Sequence, residues 1–384
     1  MANWIKPNVS LKWTVVGFLF VSLMWTAVAS AMVSGPCSNC HTMHNSQNAQ
    51  AVSGTGPNPE LLNNDCVGCH SSSASSTFYD LGGTKVPVVL FTGSAPTEYL
   101  AGGNFYWVKE GLGGDDSKGH NVFLGEPDDK LTEGAPGKVF SCDGATACHT
   151  SLSNRNTTDH FPELLGKYGC EGCHMKPRHH ANDHPNGVSG VVSGKSQGWY
   201  RFLSAHNTEL GVVGYESGTW EAALHDGANH AGATNHNEYL GYIDVTGETF
   251  GGKDRAWGFE NYGGLGKTTT ALCTGCHGMF HTEQKDANAM WVRHPSDAVI
   301  PDSGEYSDVK LTGYDPLSPV ARPVIPAAPS SAVTAGTDMV MCLSCHRPHG
   351  SPYPDMLRWD YAAQASGGGE DGTGCFYCHT SKDD

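Results

Sequence analysis

The stretch Cys37-Ser-Asn-Cys40-His41-Thr-Met-His44 decides the fold, because its pattern returns along the whole chain. Cys-x-x-Cys-His occurs six times, whereas chance would place roughly 0.03 copies in a chain of this composition. A seventh motif, at 142–149, has three extra residues between its cysteines. Together the motifs use all 14 cysteines: Cys37, Cys40, Cys66, Cys69, Cys142, Cys148, Cys170, Cys173, Cys273, Cys276, Cys342, Cys345, Cys375 and Cys378.

This spacing matches the attachment chemistry of a c-type haem. Two thiols on one turn can form thioethers with the vinyl groups of one porphyrin, and the next histidine then ligates the iron. A thioredoxin-like site needs only one such motif, a zinc ribbon needs no histidine after every second cysteine, and disulfides would not explain seven adjacent histidines. For Cys142–Cys148, a small disulfide loop remains the alternative. We predict seven haems with the proximal ligands His41, His70, His149, His174, His277, His346 and His379.

The histidines outside the motifs are candidates for the second axial position. Histidine on both faces gives a low-spin, six-coordinate iron suited to electron transfer, and we expect this ligation throughout. His44 and His349 follow a proximal histidine by three residues and cannot reach around their own porphyrin, so each should ligate a neighbouring haem. The alternative for every candidate is a solvated or hydrogen-bonding histidine. The candidates are His44, His120, His180, His206, His236, His294 and His349, with His160, His179, His184 and His281 in reserve and His225 and His230 as bystanders.

The composition leaves little for a conventional core. Hydrophobic residues make up 38% of the chain, and 49 residues are glycine, which has no side chain to bury. We therefore predict a multihaem cytochrome c fold in which the haems form the core. The protein around them should be mostly loops and turns, with short α-helices at the haem motifs and few short β-strands, for which Phe105 to Val108 and Tyr239 to Val245 are candidates.

The N-terminus has the pattern of a secretory signal. Residues 1–31 contain two lysines, then an apolar run, and end in Ala29-Ser30-Ala31, which predicts cleavage after Ala31. The alternative is an uncleaved anchor over Trp13 to Val33, which is long enough to span a bilayer. The net charge of −16 excludes nucleic acid as a partner.

The motifs divide the rest of the chain. We predict an N-terminal tetrahaem region over 32–185 and a cysteine-free segment over 186–272 that donates distal histidines. A C-terminal trihaem region follows over 273–384, with a Pro/Ala-rich linker at 321–335. The first and last motif pairs repeat each other, since Cys37 to Ser46 matches Cys342 to Ser351 in its Cys, His and Ser positions.

Cys-His-Thr-Met-His at 40–44 and Cys-His-Arg-Pro-His-Gly at 345–350 extend two of the seven motifs. In these features the chain resembles the multihaem c-type cytochromes of metal- and sulfate-respiring bacteria, particularly those with doubled Cys-x-x-Cys-His motifs. The resemblance spans residues 37 to 379. It implies an electron conduit with bis-histidine irons and haems in van der Waals range.

Three hypotheses for function follow. The first is an electron relay in anaerobic, metal-reducing respiration, located in the periplasm, at the outer membrane or outside the cell. Its partners would be a quinol-oxidising complex, other cytochromes or extracellular metal oxides. The second places the same relay in a membrane-anchored quinol-linked subunit facing the periplasm, or in a filament of copies sharing distal histidines. The third is an oxyanion reductase, which needs an open iron. All seven motifs end in histidine, so we predict an electron carrier without catalytic residues.

Overall fold

The structure is a computed structural model. It describes residues 33, 35–52, 54, 57, 61–62, 65–109, 111–122, 124, 152, 169–174, 179–180, 190–192, 203, 211–224, 235–242, 267–274, 294–306, 313–367 and 374–380. Most of these residues lie in loops and turns, as predicted.

In the described ranges, a short helical turn contains the first cysteine of each haem motif. Three of these turns are α-helical: α1 (Cys66–His70), α2 (Thr269–Thr274, which contains Cys273) and α3 (Cys342–Cys345). Three are 3-10 turns, at Cys37–Asn39, Gly169–Gly172 and Gly374–Tyr377. Further 3-10 turns lie between the motifs, at Phe105–Trp107, Asp116–Lys118, Gly304–Tyr306, Pro354–Met356 and Tyr361–Ala363.

The strands are short, and most have two residues. They are β1 (Ser46–Gln47), β2 (Gln50–Ala51), β3 (Ser71–Ser72), β4 (Phe78–Leu81), β5 (Thr84–Pro87), β6 (Leu90–Phe91), β7 (Glu98–Tyr99), β8 (Gly190–Val192), β9 (Gly214–Glu216), β10 (Ala223–Leu224), β11 (Glu238–Leu240), β12 (Ala298–Val299), β13 (Ala321–Arg322) and β14 (Met339–Val340).

One six-stranded sheet joins the middle of the chain to its C-terminal region, in the order β12-β14-β13-β11-β9-β8. Its strands are antiparallel except for β11 and β13, which pair in parallel with Tyr239 opposite Ala321. The pairs β1-β2, β4-β5 and β7-β10 are antiparallel, whereas β3-β6 is parallel.

The apolar core consists of small clusters beside the haem motifs. One surrounds Val67, inside the second motif, and another contains Met341, directly before Cys342. A third contains Tyr377, inside the last motif. Each cluster therefore packs against a motif, which holds the motif backbone in place.

Two sequence-based expectations differ from the structure. Phe105 to Val108 was predicted as a strand, but Phe105–Trp107 is a 3-10 turn that begins at Asn104, whose side chain accepts a hydrogen bond from the Tyr106 amide. The segment 321–335 was predicted as a linker, yet it begins as β13, buried between β11 and β14. The strand predicted at Tyr239 to Val245 corresponds to β11, which ends earlier, at Leu240.

Within the described ranges, no helix has both the length and the apolar character needed to cross a bilayer. The predicted signal over 1–31 lies outside the described residues.

Candidate haem-binding site

In four of the described motifs a backbone hydrogen bond joins the histidine to the first cysteine. The amide of His41 donates to the Cys37 carbonyl at 2.8 Å, and the same bond recurs at His174, His346 and His379, at 2.8 to 3.1 Å. This four-residue bond is that of an α-helical turn, which gathers two thiols and one imidazole into a single turn. At the second motif Asp65 caps the helix, since its side chain accepts from the Gly68 amide at 3.0 Å. Among the described residues the cysteines form no disulfide, so their sulfur atoms can form thioether bonds.

Four motif histidines each face a second histidine from a distant part of the chain. The ring centres of His41 and His180 are 5.9 Å apart, and those of His70 and His179 are 6.1 Å apart. His174 and His349 are separated by 5.9 Å, and His379 and His294 by 6.2 Å. The angles between the ring planes vary, at 12°, 35°, 53° and 77° in the same order.

These separations fit an iron between the two rings. An imidazole nitrogen ligates a transition metal at about 2 Å, and the ring centre lies about 1 Å beyond it. Two axial imidazoles on one iron therefore place their ring centres about 6 Å apart. In the described ranges, no group of three or more His, Cys, Asp or Glu side chains could hold a bare metal ion. The zinc alternative therefore has no site there.

Hydrogen bonds at the other ring nitrogen orient several of these histidines. His70 Nδ1 donates to the Pro87 carbonyl at 2.9 Å, His346 Nδ1 to the Asp355 carbonyl at 2.8 Å, and His294 Nδ1 to the Pro295 carbonyl at 2.8 Å. A carbonyl oxygen only accepts, so the proton lies on Nδ1 and Nε2 keeps its lone pair for a metal. The backbone thus selects the tautomer that an axial ligand needs.

His120 and His349 each lie near a motif histidine. His120 Nδ1 donates to the Pro348 carbonyl at 2.9 Å, and burial, with a smaller contribution from His346, lowers the pKa of His120. Burial, and then His174, His120 and His70, lower the pKa of His349 to about 3. Both histidines are therefore neutral near pH 7, the state in which imidazole binds iron.

Loop packing brings His349 to this position. Gly103 and Gly350 form a backbone bridge, with φ angles of +89° and +112° that favour glycine. A Cβ on Gly103 would lie 2.1 Å from the Gly350 carbonyl, so the approach requires glycine. The bridge holds the loop after the sixth motif against residues 102–104, and the His349 amide donates to the Gly102 carbonyl.

Neighbouring motifs bring their thiols together. Cys66 and Cys170 share a hydrogen bond, and Cys40 lies close enough to raise the pKa of Cys69, after burial. Burial, then Cys375 and Cys378, raises the pKa of Cys345 to about 12. Ser296 links α2 to α3, since its hydroxyl lies 3.0 Å from Thr270 Oγ1 and 3.3 Å from Cys342 Sγ. The first, second and fourth motifs thus form one contiguous group, and the fifth, sixth and seventh another.

Two distal candidates have other surroundings. His236 is buried, with Nε2 3.0 Å from Glu238 Oε1 and its ring stacked 3.5 Å from Tyr314. Its Nε2 is occupied, so we assign His236 a structural role instead of the predicted axial one. His44 is exposed and adopts φ +57°, so residues 41–44 do not share one helix face.

Other predicted site residues lie outside the described residues. They are Cys142, Cys148, His149, His160, His184, His206, Cys276, His277 and His281.

Sequence reasoning undervalued two residues. The sequence ranks His179 behind His180 as a distal candidate. In the structure the ring of His180 lies opposite that of His41, and the ring of His179 lies opposite that of His70. Adjacent histidines that could serve two irons were the available signal. Glu305 was not predicted at all, yet its carboxylate lies 2.7 Å from His379 Nδ1. Nothing in the sequence around residue 305 indicates that contact.

The motif turns and the facing histidines are features of the multihaem c-type cytochromes with doubled Cys-x-x-Cys-His motifs, the class of electron-transfer proteins that this chain resembles. The family model described as "Doubled CXXCH motif" matches residues 332–384. The chain is 26% identical to the C-type cytochrome OmcS of Geobacter sulfurreducens, over 91% of this chain and 87% of that protein.

Two solved structures were also matched. "Outer Membrane Cytochrome S Filament from Geobacter Sulfurreducens" has a TM-score of 0.45 and 18% identity, over 92% of this chain and 93% of the other. "Cryo-EM of the OmcS nanowires from Geobacter sulfurreducens" has a TM-score of 0.44 and 19% identity, over 88% and 86%.

Proposed function

We propose that the chain is an electron relay built on seven covalently bound c-type haems with histidine on both axial positions. The observation that carries this proposal is the set of facing histidine pairs. Their ring centres are 5.9 to 6.2 Å apart, the separation of two axial imidazoles on one iron. When bound, each haem supplies a one-electron ferric/ferrous couple. The polypeptide fixes where these couples lie and how easily each is reduced.

The axial pairs follow from the ring contacts. We assign His180 to the motif of His41, His179 to that of His70, His349 to that of His174, and His294 to that of His379. We assign His120 to the motif of His346, because His120 Nδ1 donates to the carbonyl of Pro348, two residues after His346, and His346 helps to lower the pKa of His120. For the motifs of His149 and His277, the remaining candidates are His44, His160, His184, His206 and His281.

Cross-ligation between motifs makes the relay continuous. His349 follows the sixth motif but faces His174 of the fourth, and His120 is hydrogen-bonded to Pro348, two residues after His346. The haem of the fourth motif is thereby tied to the backbone of the sixth. This ligation joins the two groups of motifs whose thiols lie close together, so an electron can pass between neighbouring haems along the chain.

Electron paramagnetic resonance and visible spectra of purified, oxidised protein test the relay. A bis-histidine iron is low-spin, so we expect low-spin signals to account for all haems. A dominant high-spin signal, or turnover of nitrite or a sulfur oxyanion, would favour the reductase instead.

We further infer that copies of the chain associate through an N-terminal arm, defined as residues 41–52, 61 and 62. The side chains of Met43, Leu61 and Leu62 are 71%, 47% and 56% exposed, although the Thr42 amide ties the arm together by donating to the Leu61 carbonyl. Apolar side chains clustered on a surface are typical of an interaction site. A second copy of the chain is the partner that fits, since OmcS has been solved as a filament.

Electron microscopy and light scattering test this association. Met43→Ser with Leu62→Ser should shorten the assemblies or abolish them. Val324→Ser removes a 76% exposed apolar side chain outside the arm and should leave them intact. Monomers in the unmodified protein, or equal effects of both variants, would contradict the inference.

The predicted secretory signal supports a location in the periplasm, at the outer membrane or outside the cell. There it would exchange electrons with other redox proteins or metal oxides. The N-terminal residue of the purified protein tests this: Met32 indicates a cleaved signal, and Met1 an anchor.

A further inference from the structure

The histidine of the last motif differs in its hydrogen bond from four other histidines that we assign as axial ligands. His70, His120, His294 and His346 direct Nδ1 to neutral backbone carbonyls. His379 Nδ1 instead lies 2.7 Å from Glu305 Oε1. This short, charge-assisted bond is stronger than the bonds to carbonyl groups.

Glu305 is held in place for this contact from two sides. It lies in the 3-10 turn Gly304–Tyr306. Its backbone carbonyl accepts a hydrogen bond at 2.7 Å from the hydroxyl of Thr380, which is fully buried and directly follows His379. The ring of Tyr306 packs against His379, with ring centres 5.1 Å apart. The side chains of His379 and Glu305 are 31% and 26% exposed, so water screens the charge only in part.

We propose that Glu305 is a positioning residue that lowers the reduction potential of the haem bound to Cys375 and Cys378. The inference rests on the proposed function, because it needs His379 to be an axial ligand. A carboxylate that accepts the Nδ1 proton makes the imidazole a stronger donor to iron. It also adds negative charge near the metal. Both effects stabilise the ferric iron over the ferrous iron, which carries one electron more, so the haem is harder to reduce.

His41, the histidine of the first motif, lacks a hydrogen bond of the kind that His379 makes. Its Nδ1 is buried and has no hydrogen-bond partner among the described residues. Its imidazole is therefore the weaker donor, and the haem at Cys37 and Cys40 should hold electrons more readily. Glu305 thus gives the relay a direction, in which electrons leave the last haem easily and are favoured on the first.

Spectroelectrochemical titration of the purified holoprotein tests the proposal. In Glu305→Gln the acceptor is neutral, and one haem's share of the absorbance change should move to higher potential. We expect about a tenfold larger ferrous-to-ferric ratio for that haem at a fixed potential, which is about 59 mV for one electron. Thr380→Val, which removes the bond that holds Glu305, should move the same component in the same direction by less.

Asp302→Asn is the matched control. It removes one negative charge from the same segment, where the carboxylate faces Gly336. The reduction potentials of all haems should stay unchanged. An unchanged titration of Glu305→Gln, or an equal shift in Asp302→Asn, would overturn the proposal. Haem count and spin state separate the two failures: if both are normal and the titration is unchanged, the relay stands and only the role of Glu305 falls. If the haem is missing or high-spin, the proposed function itself fails.

Discussion

The imidazole rings of His41 and His180 lie nearly parallel, at 12°, with their centres 5.9 Å apart. His41 belongs to the first motif, whereas His180 follows the fourth, and both stand on short turns rather than on a common helix. This separation is the one that two axial imidazoles on one haem iron require. A porphyrin bound there would pack between the two segments, so we expect it to stabilise the fold as well as to carry electrons.

The haem count tests the chemistry of the motifs. Pyridine haemochrome analysis with intact mass should give seven haems for the exported protein. Cys142→Ser with Cys148→Ser should give six, because this expanded motif is expected to carry a haem. Six haems in the unmodified protein, with the mass of a disulfide, would assign Cys142 and Cys148 to a disulfide loop.

Removing His349 should open one iron. In His349→Ala the haem of the fourth motif loses its assigned distal ligand, so one high-spin component should appear in the resonance spectrum. Added imidazole should restore the low-spin state, which a merely unfolded variant would not do. His225→Gln, at a position given no ligand role, is the control. A fully low-spin His349→Ala protein would refute the pairing with His174.

Arg322 should be needed for stability. Its Nε lies 2.9 Å from Glu238 Oε2, its Nη1 bonds to Asp338, and all three side chains are buried. Arg322→Met would leave two buried carboxylates without their cation, which should cost about 3–5 kcal/mol of unfolding free energy. Urea unfolding followed by circular dichroism measures this loss.

The ion pair of Lys118 and Asp115, whose side chains are 24% and 42% exposed, provides the comparison for Arg322. Lys118 Nζ lies 3.7 Å from Asp115 Oδ2. Lys118→Ala should therefore cost less than about 1 kcal/mol of unfolding free energy. Equal losses in the two variants would show that the network around Arg322 contributes no more than a surface ion pair.

Asp297 should make stability depend on pH. Burial raises the pKa of its carboxyl to about 7, and the hydroxyls of Thr270 and Thr268 offset this only in part. Between pH 4 and 7 the folded protein therefore binds a proton that the unfolded chain does not, so this group's contribution is full below pH 4 and is lost as the pH rises to 7. Urea midpoints across this range should decline less in Asp297→Asn than in Asp302→Asn. Equal declines of the urea midpoint in the two variants would contradict the assignment of this pH dependence to Asp297.

The motif chemistry was predictable from the sequence because Cys-x-x-Cys-His is local: its backbone bond spans four residues, and the turn needs nothing from the rest of the chain. The expectation that His349 would serve a neighbouring motif was also local, since it followed from the reach of the side chain. The structure places the His349 ring opposite that of His174, and ligation of the haem of the fourth motif stays a prediction.

The long-range features were not predictable. Strands of two residues, such as β13 and β14, show no alternation of polar and apolar side chains, so the six-stranded sheet left no periodic signal. Phe105 to Val108 has the residue types of a strand, but the Asn104 cap turned it into a helical turn. The pairing of His179 with His70 and the contact of Glu305 with His379 depend on how distant loops fold together.

A density map of the haem-loaded protein at near-atomic resolution tests the central claim most directly. The account predicts one iron between each facing pair, His41 with His180, His70 with His179, His174 with His349, and His379 with His294, each in a porphyrin joined to its own motif's two cysteines. Irons ligated by other residues, or these ring pairs in direct contact without a porphyrin between them, would contradict it.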